Sequence, residues 1–164
     1  MDRLLCRYRR LMERLSTAST LQGAFKEVID GWFYTLEEDI LASGEIDASD
    51  EKTLLARTND LMEKRLASVT RVAPMFAAAL RGYRTASAAG DKPTADGILA
   101  WVAGQPNVGQ ASKRAAGVKG DIDHNGALSF LQGLLVVLRD SGHAGLVLVL
   151  DELEHFTIGC IHRI

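Results

Sequence analysis

Proline and cysteine are scarce in this chain, and no apolar run is long. Three prolines among 164 residues, beside many alanines, leave most of the sequence free to be helical. Cys6 and Cys160 stand at opposite ends and read as reduced thiols rather than a disulfide frame. Apolar runs such as Leu134 to Leu138 and Ala144 to Leu150 are far too short to span a bilayer. The first turns are arginine-rich and amphipathic, without the apolar core of a secretory leader, so the expected compartment is the cytoplasm. Charge of one sign is lacking too. A net charge of -2 gives no global field toward nucleic acid or membrane, and 47% hydrophobic with 24% charged residues is ordinary for a globular domain.

What is present is mostly helical periodicity. Over residues 3–15, Leu4, Tyr8, Leu11, Met12 and Leu15 share one face, while Arg3, Arg7, Arg10 and Arg14 form a separate stripe. That stripe suits phosphates, an acidic partner, or plain solvation. Residues 20–43 place Leu21, Phe25, Val28, Ile29, Trp32, Phe33, Leu36 and Ile40 at helical spacing, with Ser19 or Thr20 as cap and Gly44 at the stop. Glu37, Glu38 and Asp39 crowd its C-terminal end, against the helix dipole; a basic neighbour, such as the arginine stripe, or solvation would relieve them. Residues 48–70 repeat the pattern with Leu54, Leu55, Leu61, Met62, Leu66 and Val69, capped by Asp47 or Ser49. Pro74 opens a fourth helix to about Ala89, with Phe76, Leu80 and Tyr83 on its apolar side. After the Gly90-Asp91-Lys92-Pro93 break comes a short helix with Ile98, Leu99, Trp101 and Val102.

The chain therefore divides into a helical region, 1–104, and a glycine-bearing basic loop, 105–126, with Lys113, Arg114 and Lys119 around one short helix. A helix and strand follow over 127–154, then a tail, 155–164. The leucine-rich helix from Gly126 to about Arg139, closed by Ser141-Gly142, leads into Gly145-Leu146-Val147-Leu148-Val149-Leu150-Asp151-Glu152. Unbroken apolar residues before two carboxylates read as a strand buried on both faces, of the parallel-sheet kind. Its carboxyl end is where open α/β sheets place ligands. This is the Walker B pattern, in which the Asp holds Mg²⁺ and the next Glu orients the attacking water. A core strand ending in a solvated acidic turn fits equally. Walker A is missing, because no glycine here is followed by lysine to cradle phosphates.

Asp121-Ile122-Asp123-His124-Asn125-Gly126 matches the opening of a calcium loop, with oxygen ligands at Asp121, Asp123 and Asn125 and a turn glycine. Its twelfth position is Gln132 rather than a bidentate Glu. Alternatively, Asp121 or Asp123 caps the next helix.

The stretch Gly117 to Glu154, with the segments YRRLMERL, DGWFYTLEED and APMFAAALRGYR upstream, resembles the BrxD family of ATP-binding proteins from bacterial BREX-type phage-defence systems. The resemblance implies an α/β P-loop NTPase of AAA+-like fold, using ATP and Mg²⁺. It implies Asp151 as the Mg²⁺-linked, cofactor-binding residue, Glu152 as the catalytic residue, and Glu154 as an acidic neighbour. Partners would be other BREX components, a second copy, or DNA in the full-length context, and no membrane. Without Walker A and the segments beyond Walker B, the expectation is an internal fragment, inactive alone. In the residues present that means mostly α-helix, with one or two parallel-type strands near the C-terminus, including Leu146–Leu150. Two other readings compete: a non-enzymatic helical interaction module, in which residues 1–104 fold alone, and a calcium-binding protein through residues 121–132.

Overall fold

The helices begin and end where local chemistry allows. A computed structural model describes residues 3–149 except positions 45 and 48. Among these the chain forms seven helices: α1 (Arg3–Arg14), α2 (Phe25–Ala42), α3 (Glu51–Val72), α4 (Pro74–Ala88), α5 (Lys92–Val102), α6 (Gln110–Ala115) and α7 (His124–Asp140). Side-chain caps open three of them. Asp50 accepts from Thr53 N, Asp91 from Thr94 N and Asp123 from Gly126 N. Pro74, without an N–H to lose, opens α4. One kind of stop closes α4, α5, α6 and α7. Gly90, Gly104, Gly117 and Gly142 take positive φ, and the following N–H bonds back to Ala86, Ala100, Lys113 and Leu138.

Two helix starts differ from the periodicity. The second helix begins at Phe25, not near residue 20, because Gly23 turns the chain at φ 71° and Ala24 N bonds back to Leu15 O. Ser19 and Thr20 instead donate their hydroxyls to the Glu27 carboxylate, which lowers its pKa, and Leu21 is left in solvent. The third helix is capped by Asp50 rather than Asp47 or Ser49, since Asp47 is occupied by Ser49.

One core runs through the described chain, and α7 lies at its centre, packing on α1, α2, α3 and α4. Phe130 of α7 sits between aromatic rings, 5.5 Å from Phe76 and 5.5 Å from Trp101. Leu134 and Val137 are fully buried beside them. Two glycines set how closely the elements meet. A Cβ on Gly133 of α7 would fall 2.6 Å from Phe76 Cδ1, and one on Gly82 of α4 would fall 2.7 Å from Ala115 O and from Ala116 Cα.

The expected strand is not formed, and the α/β fold is corrected here. Residues 143–149 carry no regular structure, and no strand or sheet exists among the described residues. Val147 and Val149 are 87% and 86% exposed. The reason is physical: a strand needs backbone partners from another strand, and the other apolar stretches are spaced for helices. An apolar run alone cannot supply a ladder.

Gly133→Ala and Gly82→Ala should each destabilise the fold by about 1–3 kcal/mol through overpacking. Gly31, mid-helix in α2 with no atom within 4 Å of an added Cβ, is the internal control. Gly31→Ala should stabilise by about 0.5–1 kcal/mol. Urea melts that place all three changes on the same side of wild type would refute this packing account.

Candidate functional site

Both residues of the Walker B pattern, Asp151 and Glu152, lie outside the described residues, as do Glu154 and the tail. What is described is the path that leads to them. Asp140, the last residue of α7, is where the path leaves the core. A carboxylate at a helix C-terminus is opposed by the dipole, so it needs donors. Trp32 of α2 provides one, Nε1 to Asp140 Oδ2 at 2.7 Å. Arg65 of α3 provides the other, and its second guanidinium nitrogen reaches Asp39 of α2 at 3.0 Å. The Asp140 side chain is only 20% exposed, so these bonds are worth more than surface pairs. Ser141 Oγ donates to Val137 O, and the glycine stop at Gly142 turns the chain out. Leu146 still packs against the core before Val147, Leu148 and Val149 face solvent.

The acidic end of α2 does have basic neighbours, but among the described side chains they are not the N-terminal arginines. Glu37 accepts from Arg84 of α4 at 2.6 Å, and that guanidinium also lies 5.4 Å from the Phe33 ring centroid. Glu63 takes a two-pronged bond from Arg81, at 2.7 and 2.8 Å.

The residues of the calcium-loop pattern have other engagements. Asp121 accepts from Lys113 Nζ at 2.7 Å, and Asp123 spends an oxygen on the Gly126 N–H as the cap of α7. Asn125 is already inside α7, where its backbone carbonyl accepts from Ser129 Oγ. Among the described residues no group of three or more His, Cys, Asp or Glu side chains is arranged to hold a metal ion. Lys113 is nearly buried, so the basic loop exposes Arg114 and Lys119 but not this lysine.

Two depressions are lined by described residues. One, of about 180 Å³, lies between Trp32, Lys64, Arg65, Val136 and Asp140, below the volume of small-molecule sites, about 300–1,000 Å³. The other is a groove along α2, lined by Gly23, Lys26, Glu27, Asp30, Gly31 and Tyr34. Two of these residues, Lys26 and Asp30, bond to Tyr83. The hydroxyl donates to Asp30 at 2.5 Å and accepts from Lys26 at 2.7 Å. Burial, then the Asp30 bond, raises the Tyr83 pKa; the bond to Tyr83 raises that of Lys26. Neither depression has the glycine-and-lysine loop that a nucleotide phosphate requires.

The Trp32–Asp140–Arg65 contact is the feature that the sequence pattern missed. Periodicity assigns Trp32 to the core, but its N–H partner is 108 residues away. Only the two ends, an indole in an apolar stripe and an acid at the wrong end of a helix, hint that each needs the other.

A family model described as BREX system ATP-binding protein BrxC/D matches residues 1–159. No curated protein and no solved structure matches the chain. No helix among the described residues is long and apolar enough to cross a membrane.

Asp140→Ala should cost about 1–3 kcal/mol in urea unfolding, because a part-buried indole N–H and Arg65 both lose their acceptor. Asp140→Asn should cost less, since its amide oxygen still serves Trp32. Equal losses for the two variants would mean that Trp32 contributes nothing to the contact.

Proposed function

The chain belongs to the family of BREX system ATP-binding proteins BrxC/D, and on that premise we propose that it is the part of such an ATPase that bears the Walker B acids. The observation that carries the reading is the reach of the family match. It extends to residue 159 and so takes in the apolar run and Asp151-Glu152. Two adjacent carboxylates are the hard-oxygen donor set that Mg²⁺ prefers, so their chemistry fits the ion. When bound, Mg²⁺ neutralises charge on the phosphate oxygens of ATP. Asp151 would hold the ion and Glu152 would orient the attacking water. Trp32 and Arg65 fix the end of α7, so the segment toward the two acids leaves from a set point.

Without a glycine-lysine loop the chain does not bind or hydrolyse ATP by itself; another chain or segment provides the phosphate cradle. The partners are other BREX components in the cytoplasm. A second copy is a further partner, and the exposed Val147, Leu148 and Val149 support contact with another polypeptide. A second reading, a helical interaction module without chemistry, has its own support in the single helical core and the missing phosphate loop.

Calorimetry with Mg-ATP and the purified chain should show no binding. Binding abolished by Asp151→Ala would overturn the inactivity of the isolated chain and keep the Walker B assignment. Mixed with the other BREX components, the chain should support ATP hydrolysis that Glu152→Gln abolishes. Hydrolysis unchanged by both substitutions would reject the assignment and leave the interaction module.

A further inference from the structure

The exposed arginines of α1 have no partner among the described residues. Arg7, Arg10 and Arg14 are all exposed, and no hydrogen bond or ion pair joins them to another described residue. They stand three and four positions apart, on one stripe of the helix, while Tyr8, Met12 and Leu15 bury another face. Arg9, off the stripe, is used internally, donating to Gly104 O at 2.9 Å. Glu13, the one acid within α1, accepts from Gln105 at 2.7 Å and so is turned to α5's exit loop. Elsewhere Arg65, Arg81, Arg84 and Lys113 each meet a carboxylate from another part of the chain. A row of neighbouring like charges, left without counter-charge, repels itself.

We propose that this face of α1 docks on the phosphodiester backbone of a nucleic acid. A straight row of positive charge matches a partner whose negative charge also repeats along a line. From Arg7 to Arg14 the row spans eight residues, about 10 Å of helix, enough to reach successive phosphates. Every cation of α1 is arginine, whose planar fork pairs two phosphate oxygens at once where lysine offers a point charge. Contacts to phosphates carry no sequence information, so the contact is independent of sequence. The inference rests on α1 alone and does not depend on the Walker B reading.

Fluorescence anisotropy with a labelled DNA duplex, across about 50 to 200 mM salt, tests it. Three phosphate contacts contribute about 2.7 to the slope of log affinity against log salt, roughly a 40-fold loss over that range. The variant Arg7→Gln/Arg10→Gln/Arg14→Gln should lose that part of the slope with an unchanged circular-dichroism melt. A control with Lys52→Gln/Arg57→Gln/Lys64→Gln, three exposed cations of α3, should bind as wild type does. The proposal fails if wild type does not bind DNA at about 50 mM salt. It also fails if the α3 control loses as much as the α1 variant. Polyglutamate displacing the protein as well as DNA does would assign the face to an acidic protein instead.

Discussion

The close approach of α7 to the rest of the molecule is the constraint on which the fold depends. Gly133 lets the Phe76 ring lie against the α7 backbone, and that places Phe130 between Phe76 and Trp101. Any side chain at Gly133 would push the helix away, and the interior has no spare volume to absorb it. Gly82 plays the same part between α4 and the end of α6. With these distances set, helices that could each pack in several ways have one arrangement. Aromatic residues are only 6% of the sequence, but most of the described ones sit in this interior, so few side chains carry much of its order.

Charge contacts form a second layer that fixes orientation rather than supplying most of the stability. The acidic end of α2 would be held poorly by its own dipole. Arg84 from α4 and Arg65 from α3 reach it instead, and Arg65 carries the connection on to Asp140. Exposed ion pairs are individually weak. This set differs because one member, Asp140, is largely withdrawn from water and also serves an indole N–H. The same residue ends α7, so the contact that holds three helices in register also fixes where the chain departs toward Asp151 and Glu152. Structure and the proposed chemistry meet at that point.

Much of the helical layout was legible in the sequence. The apolar stripes at Tyr8, Met12 and Leu15, and at Val28, Ile29, Trp32, Phe33 and Leu36, are the buried faces. Pro74, Gly44 and Gly142 stand at the boundaries where proline and glycine chemistry puts them. The Asp123 cap was also readable, because Asp before a helix has an N–H three residues on to bind. The start of α2 was not. Leu21 continues the period in the sequence, but Gly23 breaks it in space, and the hydroxyls of Ser19 and Thr20 went to Glu27 instead of a helix end. The basic partners of Glu37 and Asp39 were inferable as a need, but not as Arg84 and Arg65.

The difference lies in the range of the interactions. A helix satisfies its backbone within a few residues, so composition, spacing and capping decide it before anything else folds. The sequence alone therefore determined which stretches are helical, which of their faces are apolar, and the absence of a phosphate loop. A strand, an ion pair or a buried lysine depends on what another segment brings to it. The run from Leu146 to Val149 has strand composition but meets no strand among the described residues, so it forms none. Lys113 reads as a loop cation, but tertiary packing buries it against Asp121. Trp32 and Asp140 become partners only when α7 is seated beside α2, because nothing local could have set a contact across 108 residues.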